Sequence, residues 1–247
     1  MLLRRITQHV KDQNWTAVAL DFLIVVAGIL IAFQITNWNE ARSDNSRIER
    51  RLANVVDDLR ADIVEVEGII KTTKWRASAI QTVLDSADKP ITPQYQTPFG
   101  DVVETPKFPV FESEFPWDAA NAIVWLATLD GSRGGYQALL NTGDLQLIKP
   151  ETLSRQIQAY YARAEEIYDT DRAHQNVRDQ VTAVRQRLGV GINQTTTDEL
   201  VELVREDREF SAALSHLFGQ DTVQIEIMLE ISTKAEELIT AIEKELE

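Results

Sequence analysis

From Phe22 to Phe33 the chain reads FLIVVAGILIAF, twelve residues with no polar side-chain atom. Twelve residues do not cross a bilayer. The apolar character extends outward on both sides, and the 24 residues from Trp15 to Trp38 make a helix of ~36 Å, enough for a ~30 Å hydrocarbon core. A Trp at each end suits the two aromatic belts. A cleavable leader would want a small-x-small site after the run, which Ala32-Phe33-Gln34 does not supply. The buried core helix of a soluble protein passes the same apolar test, with Asp21 and Gln34 interrupting the window; length and flanking Trp residues favour a retained span over 15–38.

Basic residues lie on both sides of this span: Arg4, Arg5 and Lys11 before it, Arg42, Arg47, Arg50 and Arg51 after it. Their count does not orient the helix. A long trailing domain translocates largely regardless of charge, so the reading is N-terminus cytoplasmic and C-terminal domain periplasmic in a bacterial inner membrane. The leader, 1–14, places Leu2, Leu3, Ile6 and Val10 near one helical face, which would lie along the membrane surface; a frayed basic tail is the alternative.

At 100° per residue Ala17, Asp21, Val25, Gly28 and Ala32 share one stripe of the span. Small residues let helices approach closely, and a carboxylate at Asp21 wants a partner other than lipid. The expectation is helix–helix association through Ala17, Asp21, Gly28 and Ala32. The competing reading has Asp21 reaching the headgroups and Gly28 incidental.

Between Gly28 and Gly68 there is neither Gly nor Pro, and Ile48, Leu52, Val55, Leu59, Ile63, Val66 and Ile70 recur at spacings of three and four. The span should therefore continue as a stalk helix, 39–87, that buries this stripe against other helices. Six of the seven prolines then fall between Pro90 and Pro116, marking a long irregular connection, 88–117, whose aromatics should pack on the bundle or on a partner. Beyond it, 118–247 reads as a helical bundle domain packed with the stalk. Asp118 caps a helix over 119–129. Another starts near Gly135 and stops at Asn141-Thr142-Gly143. Pro150 opens a long helix to about Leu188, and two more follow over 199–218 and 222–246. The fold class is all-α.

The phrase YQALLNTGDLQLIKPETLSRQIQAYY at 136–161, with GILIAFQITNWNE at the end of the span, resembles uncharacterised bacterial single-pass membrane proteins grouped as a domain of unknown function. The resemblance covers most of the chain and is strongest at 21–40 and 136–161. It implies topology and a helical fold. It implies no activity.

The net charge is -14, from 25 basic and 39 acidic residues. Residues 1–38 hold three basic and two acidic side chains, so about -15 lies beyond them, which argues against nucleic acid as a partner. With no cysteine there is no disulfide, thiolate metal site or thiol nucleophile, as suits an oxidising compartment. The histidines are His9, His174 and His216, none in a zinc-binding pattern. Asp171 and His174 share an apolar face with Leu153, Ile157, Tyr160, Ala164, Ile167, Val177, Val181 and Val184. Such a pair could bind a metal with help from another helix or sense pH, but a satisfied core pair explains it more simply, since two ligands do not make a site. Gly131-Ser-Arg-Gly-Gly135 lacks the Gly-Lys-Ser/Thr ending of a phosphate loop and reads as a helix-to-helix turn.

No catalytic, cofactor or metal site emerges from these residues. The expectation is a membrane-anchored interaction or scaffold protein, in contact with lipid and with copies of itself or another membrane protein. The alternative is a ligand- or pH-sensing accessory subunit, and an unrecognised enzyme comes third.

Overall fold

The computed structural model describes residues 15–96, 101–112, 118–191 and 195–246. The leader over 1–14 lies outside these, as do the side chains of Ala17 and Asp171. Helix α1 runs Trp15–Ser86. It is followed by a short antiparallel hairpin, β1 (Gln94–Gln96) and β2 (Val102–Glu104), with Tyr95 opposite Val103. Then come α2 (Ala119–Ala122), α3 (Gly134–Thr142), a 3₁₀ turn (Asp144–Leu147), α4 (Glu151–Arg187), α5 (Thr197–Glu206) and α6 (Arg208–Leu246). The fold is all-α, with one long apolar N-terminal helix that could cross a membrane.

The chain divides into two compact units, Met1–Arg50 and Arg51–Glu247. In the first, the large apolar side chains from Val18 to Trp38 are 44–68% exposed, apart from the half-buried Val26. The Arg42 guanidinium stands 5.8 Å from the Trp38 ring centroid, a cation–π contact at the end of the apolar run.

In the second unit, beside the also buried Val56, Ala77, Ser78, Ala79 and Leu84, α1 and the residue after it bury the series Leu52, Val55, Leu59, Asp62, Val66, Ile69, Thr73, Arg76, Ile80, Val83 and Ala87. Their spacing alternates strictly between three and four, the 3.5-residue period of a helix wound around others. The expected stripe followed the apolar residues to Ile63 and Ile70. Those two are only half-buried, and Asp62 and Ile69 take the core positions. Helix α6 keeps the same rhythm through Phe210, Leu214, Leu217, Asp221, Gln224, Met228, Ile231, Ala235, Leu238 and Ile242.

Side-chain bonds fix the directions. Tyr160 reaches Asp62 and His174 reaches Arg76, and each pair is 98 residues apart, so α1 and α4 run parallel and in register over two heptads. Thr73 meets Gln224 and Arg76 meets Asp221, which sets α6 antiparallel to α1. The ion pairs Arg163–Glu230 at 2.7 Å and Arg187–Glu209 at 2.8 Å join α4 to α6, also antiparallel.

Two helix boundaries differ from the sequence expectation. The helix expected over 119–129 ends at Ala122, because the chain beyond is held across α1: the Trp125 carbonyl accepts from Arg76, and the Asp130 and Gly131 N–H groups donate to Glu65. The break expected near 219–221 falls instead at Asp207, whose carboxylate accepts from Phe210 N–H at 2.8 Å and starts α6 there. Residues 219–222 stay helical, which keeps Asp221 and Gln224 on the face that meets Arg76 and Thr73.

The proline-rich connection packs on the bundle through its described part. Gln81 clamps the Phe108 backbone with two bonds of 3.1 Å, Ser78 donates to Pro109 O and Thr82 accepts from Phe111 N–H. Phe108 meets Phe218 edge-on at 5.6 Å.

The phrase around Leu139–Ile148 forms a corner. Gly143 takes φ 74° and closes α3, Leu139, Leu145 and Ile148 are buried, and the buried Asp144 accepts from Thr142 while Arg51 stands 3.9 Å away. At the other end of α3, Gly135 lies against α1: a Cβ there would stand 2.7 Å from Val55 N and 2.8 Å from Asn54 C. Backbone cannot yield as a side chain can. Gly135→Ala should destabilise the bundle by about 1–3 kcal/mol, whereas Gly134→Ala, whose Cβ meets only Asp58 Oδ1 at 4.0 Å, should be nearly neutral; urea denaturation followed by circular dichroism compares the two.

Candidate functional site

The period of 3.5 brings polar side chains from three helices into one layer of the core. Arg76 is fully buried, and so is Asp221. Arg76 Nε donates to both oxygens of Asp221, at 3.1 and 3.0 Å, and Nη2 donates to Oδ1 at 2.7 Å. This is the forked pairing for which the planar guanidinium is suited. Nη1 donates to Trp125 O at 2.5 Å, and Nη2 also reaches Gln224 Oε1 at 3.3 Å. Thr73 Oγ1 donates to that same amide oxygen at 3.0 Å.

His174 closes the layer from α4. Its Nε2 lies 2.8 Å from Arg76 Nη2 and 3.2 Å from Asp221 Oδ1. A ring nitrogen facing a guanidinium acts as acceptor; one facing a carboxylate acts as donor. The tautomer therefore decides which neighbour His174 serves. The cavity beside it, bordered by Gln220, Gln224 and Met228, is about 10 Å³, room for no more than about one water. The chemistry of the layer is consumed in joining α1, α4, α6 and the chain at Trp125.

A second polar cluster occupies the loop 130–135, the segment that invited comparison with a phosphate loop. Its N–H groups do point at anions, and the anions are the chain's own. Asp130 and Gly131 N–H donate to the two Glu65 oxygens at 2.8 and 3.1 Å, Ser132 N–H to Asp62 Oδ1 at 2.6 Å and Gly135 N–H to Asp58 Oδ2 at 2.6 Å. Asp58, Asp62 and Glu65 sit at i, i+4 and i+7, one face of α1, and so meet consecutive turns of the loop. Arg133 pairs with Glu165. The helix-to-helix turn expected from the sequence is thus fastened by a comb of carboxylates.

Burial, reinforced by Glu65 and Asp58, raises the Asp62 carboxyl above its ordinary 3.8, against the lowering effect of the Ser132 N–H and Tyr160 hydroxyl. Tyr161 stacks on Tyr136 at 4.1 Å with the rings 4° from parallel. Burial and the nearby Asp58 and Asp62 push its phenol well above the ordinary 10.0. Among the described residues its hydroxyl is a buried polar group with no hydrogen-bond partner.

Of the residues singled out from sequence, Asp21, Gly28 and Ala32 are exposed on α1, and no atom lies within 4 Å of a Cβ built on Gly28. Ala17 lies in the same helix. His174 is buried and engages Arg76 and Asp221; Asp171 is in α4 with its side chain outside the described residues. Among the described residues no group of three or more His, Asp or Glu side chains is placed to hold a metal ion. Arg76, Asp221, Gln224, Thr73 and Asp62 were not anticipated. A stripe continued at 3.5 residues per turn, indifferent to polarity, would have found the three on α1.

Residues 21–89 match DUF6090, a family of unknown function. The match takes in GILIAFQITNWNE and the stalk, and stops before YQALLNTGDLQLI. Comparison with curated proteins finds no match, and neither does comparison with solved structures.

Two outcomes follow for this site. Arg76→Met strands a buried carboxylate and should cost about 3–5 kcal/mol, while Arg76→Met with Asp221→Leu should recover most of that loss, read as midpoints of urea denaturation. For Asp62 the folded pKa is raised, so its protonation favours the folded state: the contribution is fully present below 3.8 and is lost as pH rises through the folded value. The stability of the natural chain minus that of Asp62→Asn should therefore grow as pH falls from neutral toward 4. A difference that is flat or shrinks would contradict the burial of this charge.

Proposed function

We propose that this chain is a membrane-anchored helical interaction protein of the bacterial inner membrane. It assembles through its span and stalk with copies of itself or with another membrane protein, its N-terminus cytoplasmic and its bundle periplasmic. One observation carries the reading: a single helix, Trp15–Ser86, holds both an exposed apolar segment and the heptad positions of a bundle core. The apolar segment has lipid as its natural surroundings. Its stripe of Ala17, Asp21, Gly28 and Ala32 offers close approach at Gly28 and a carboxylate in need of a donor.

A binding role in preference to a catalytic one has support from the way the bundle uses its polar side chains. Arg76, Asp221 and His174 are spent on one another, and Asp58, Asp62 and Glu65 on backbone N–H groups. The second reading, a sensing accessory subunit, draws support from an uncharged cleft between α6 and the segment after α1, bordered by Ile91 and Thr105.

The chain has no cysteine, so a single introduced one reports on its neighbours alone. Gly28→Cys should form an oxidant-induced disulfide dimer in native membranes, or a cross-link to one other membrane protein identified by mass spectrometry. Leu30→Cys, on the opposite face of the helix, should not. Equal behaviour of the two, or cross-linking by neither, would remove the stripe as an assembly surface.

A further inference from the structure

Gly219 lies within the 39-residue helix α6, where glycine is about 1 kcal/mol less favourable than alanine. The fold gives it no compensation. Its φ is not among the positive ones, and a Cβ built there meets no atom within 4 Å. The contrast with Gly135, which neighbouring backbone crowds, is complete. The empty position opens into a cleft of about 460 Å³, within the size range of small-molecule sites.

The walls of this cleft are specific in chemistry. Ser215, Gly219 and Val223, at i, i+4 and i+8, form an exposed stripe on α6, and Ile91 and Thr105 rise opposite them from the segment after α1 and the end of β2. Among the described residues no ionisable side chain borders it, although charged residues make up 26% of the chain. Three bordering hydroxyls have already given their protons to backbone carbonyls: Thr105 to Thr92 O at 2.6 Å, Ser215 to Ser211 O at 3.0 Å and Thr222 to Gly219 O at 2.8 Å. What these oxygens still offer is lone pairs, and Gln220, also on the border, adds an amide that both donates and accepts. Ile91 and Val223 supply apolar surface between them.

A complementary ligand is uncharged, carries several hydrogen-bond donors and has a C–H face. We propose that the cleft at Gly219 binds a small neutral polyhydroxylated molecule, a simple sugar or cyclic polyol. Its hydroxyls donate to Thr105, Ser215 and Thr222, and its carbon face lies on Ile91 and Val223. A side chain at 219 would occupy the ligand's place.

The test uses the full-length, detergent-solubilised chain and ligand-observed saturation-transfer NMR with glucose, galactose, mannose, trehalose and myo-inositol, and with glucuronate and glucosamine as charged counterparts. At least one neutral compound should bind. Gly219→Leu should weaken that binding by about tenfold or more while leaving the helical circular dichroism intact, and Gly219→Ala should raise the Tm, since the helix gains a better former. Binding by none of the five neutral compounds, equal binding of the charged ones, or binding unchanged in Gly219→Leu would overturn the proposal. So would concentration-dependent dimerisation lost in Gly219→Leu, which would make the cleft a contact between copies.

Discussion

The forked bond between Arg76 and Asp221 is the constraint around which the bundle is arranged. An ion pair with no exposed atom gains little stability over an apolar pair of the same volume, since both charges have lost their water. Its effect is on which arrangement is allowed. Sliding α6 by one turn against α1 would leave a guanidinium and a carboxylate separately buried, at several kcal/mol each. Gln224 and Thr73, one turn away, repeat the requirement, and His174 extends it to α4. The apolar heptad positions supply attraction that is nearly indifferent to register; the polar layer removes the indifference.

The second fastening, at 130–135, has a different character. Here charged groups from one helix face satisfy backbone N–H groups of an irregular segment that no ladder could satisfy. The carboxylate comb and the close approach at Gly135 together hold α3 on α1, and the corner from Leu139 to Ile148 turns the chain into α4. A glycine-rich turn that resembles an anion site in sequence has its anions built in. The raised pKa of Asp62 records first what it costs to bury a carboxyl there, with Glu65 and Asp58 adding to it.

These two features bear on function through what they leave over. With its densest polar groups committed to structure, the second unit keeps for other molecules its surface, and on that surface the uncharged cleft at Gly219 stands apart from an otherwise acidic chain. The first unit keeps the exposed apolar helix. The region that matches DUF6090, 21–89, lies almost wholly within α1.

The sequence by itself determined the elements whose signal is local. The apolar run from Phe22 to Phe33, the absence of breakers up to Gly68, the Pro cluster from Pro90, the Pro150 start and Gly143 stop all act through neighbouring residues. The long α1, the irregular connection, α4 and the all-α class were legible for that reason. The apolar face of α4 was legible too, down to His174. Tertiary structure alone decided that α2 would stop at Ala122 and that 219–222 would stay helical, because the partners Glu65 and Arg76 are distant in the chain from the groups they hold. The start of α6 at Asp207 has a local cap, Phe210 N–H. Tertiary structure alone decided the polar layer. Polarity is the usual sign that a residue faces water, and Asp62, Thr73 and Arg76 reverse that sign only when partners from other helices stand in for water. Period carries through such positions where hydrophobicity does not, and the winding of α1 around its neighbours, which sets the period at 3.5, exists only in the assembled bundle.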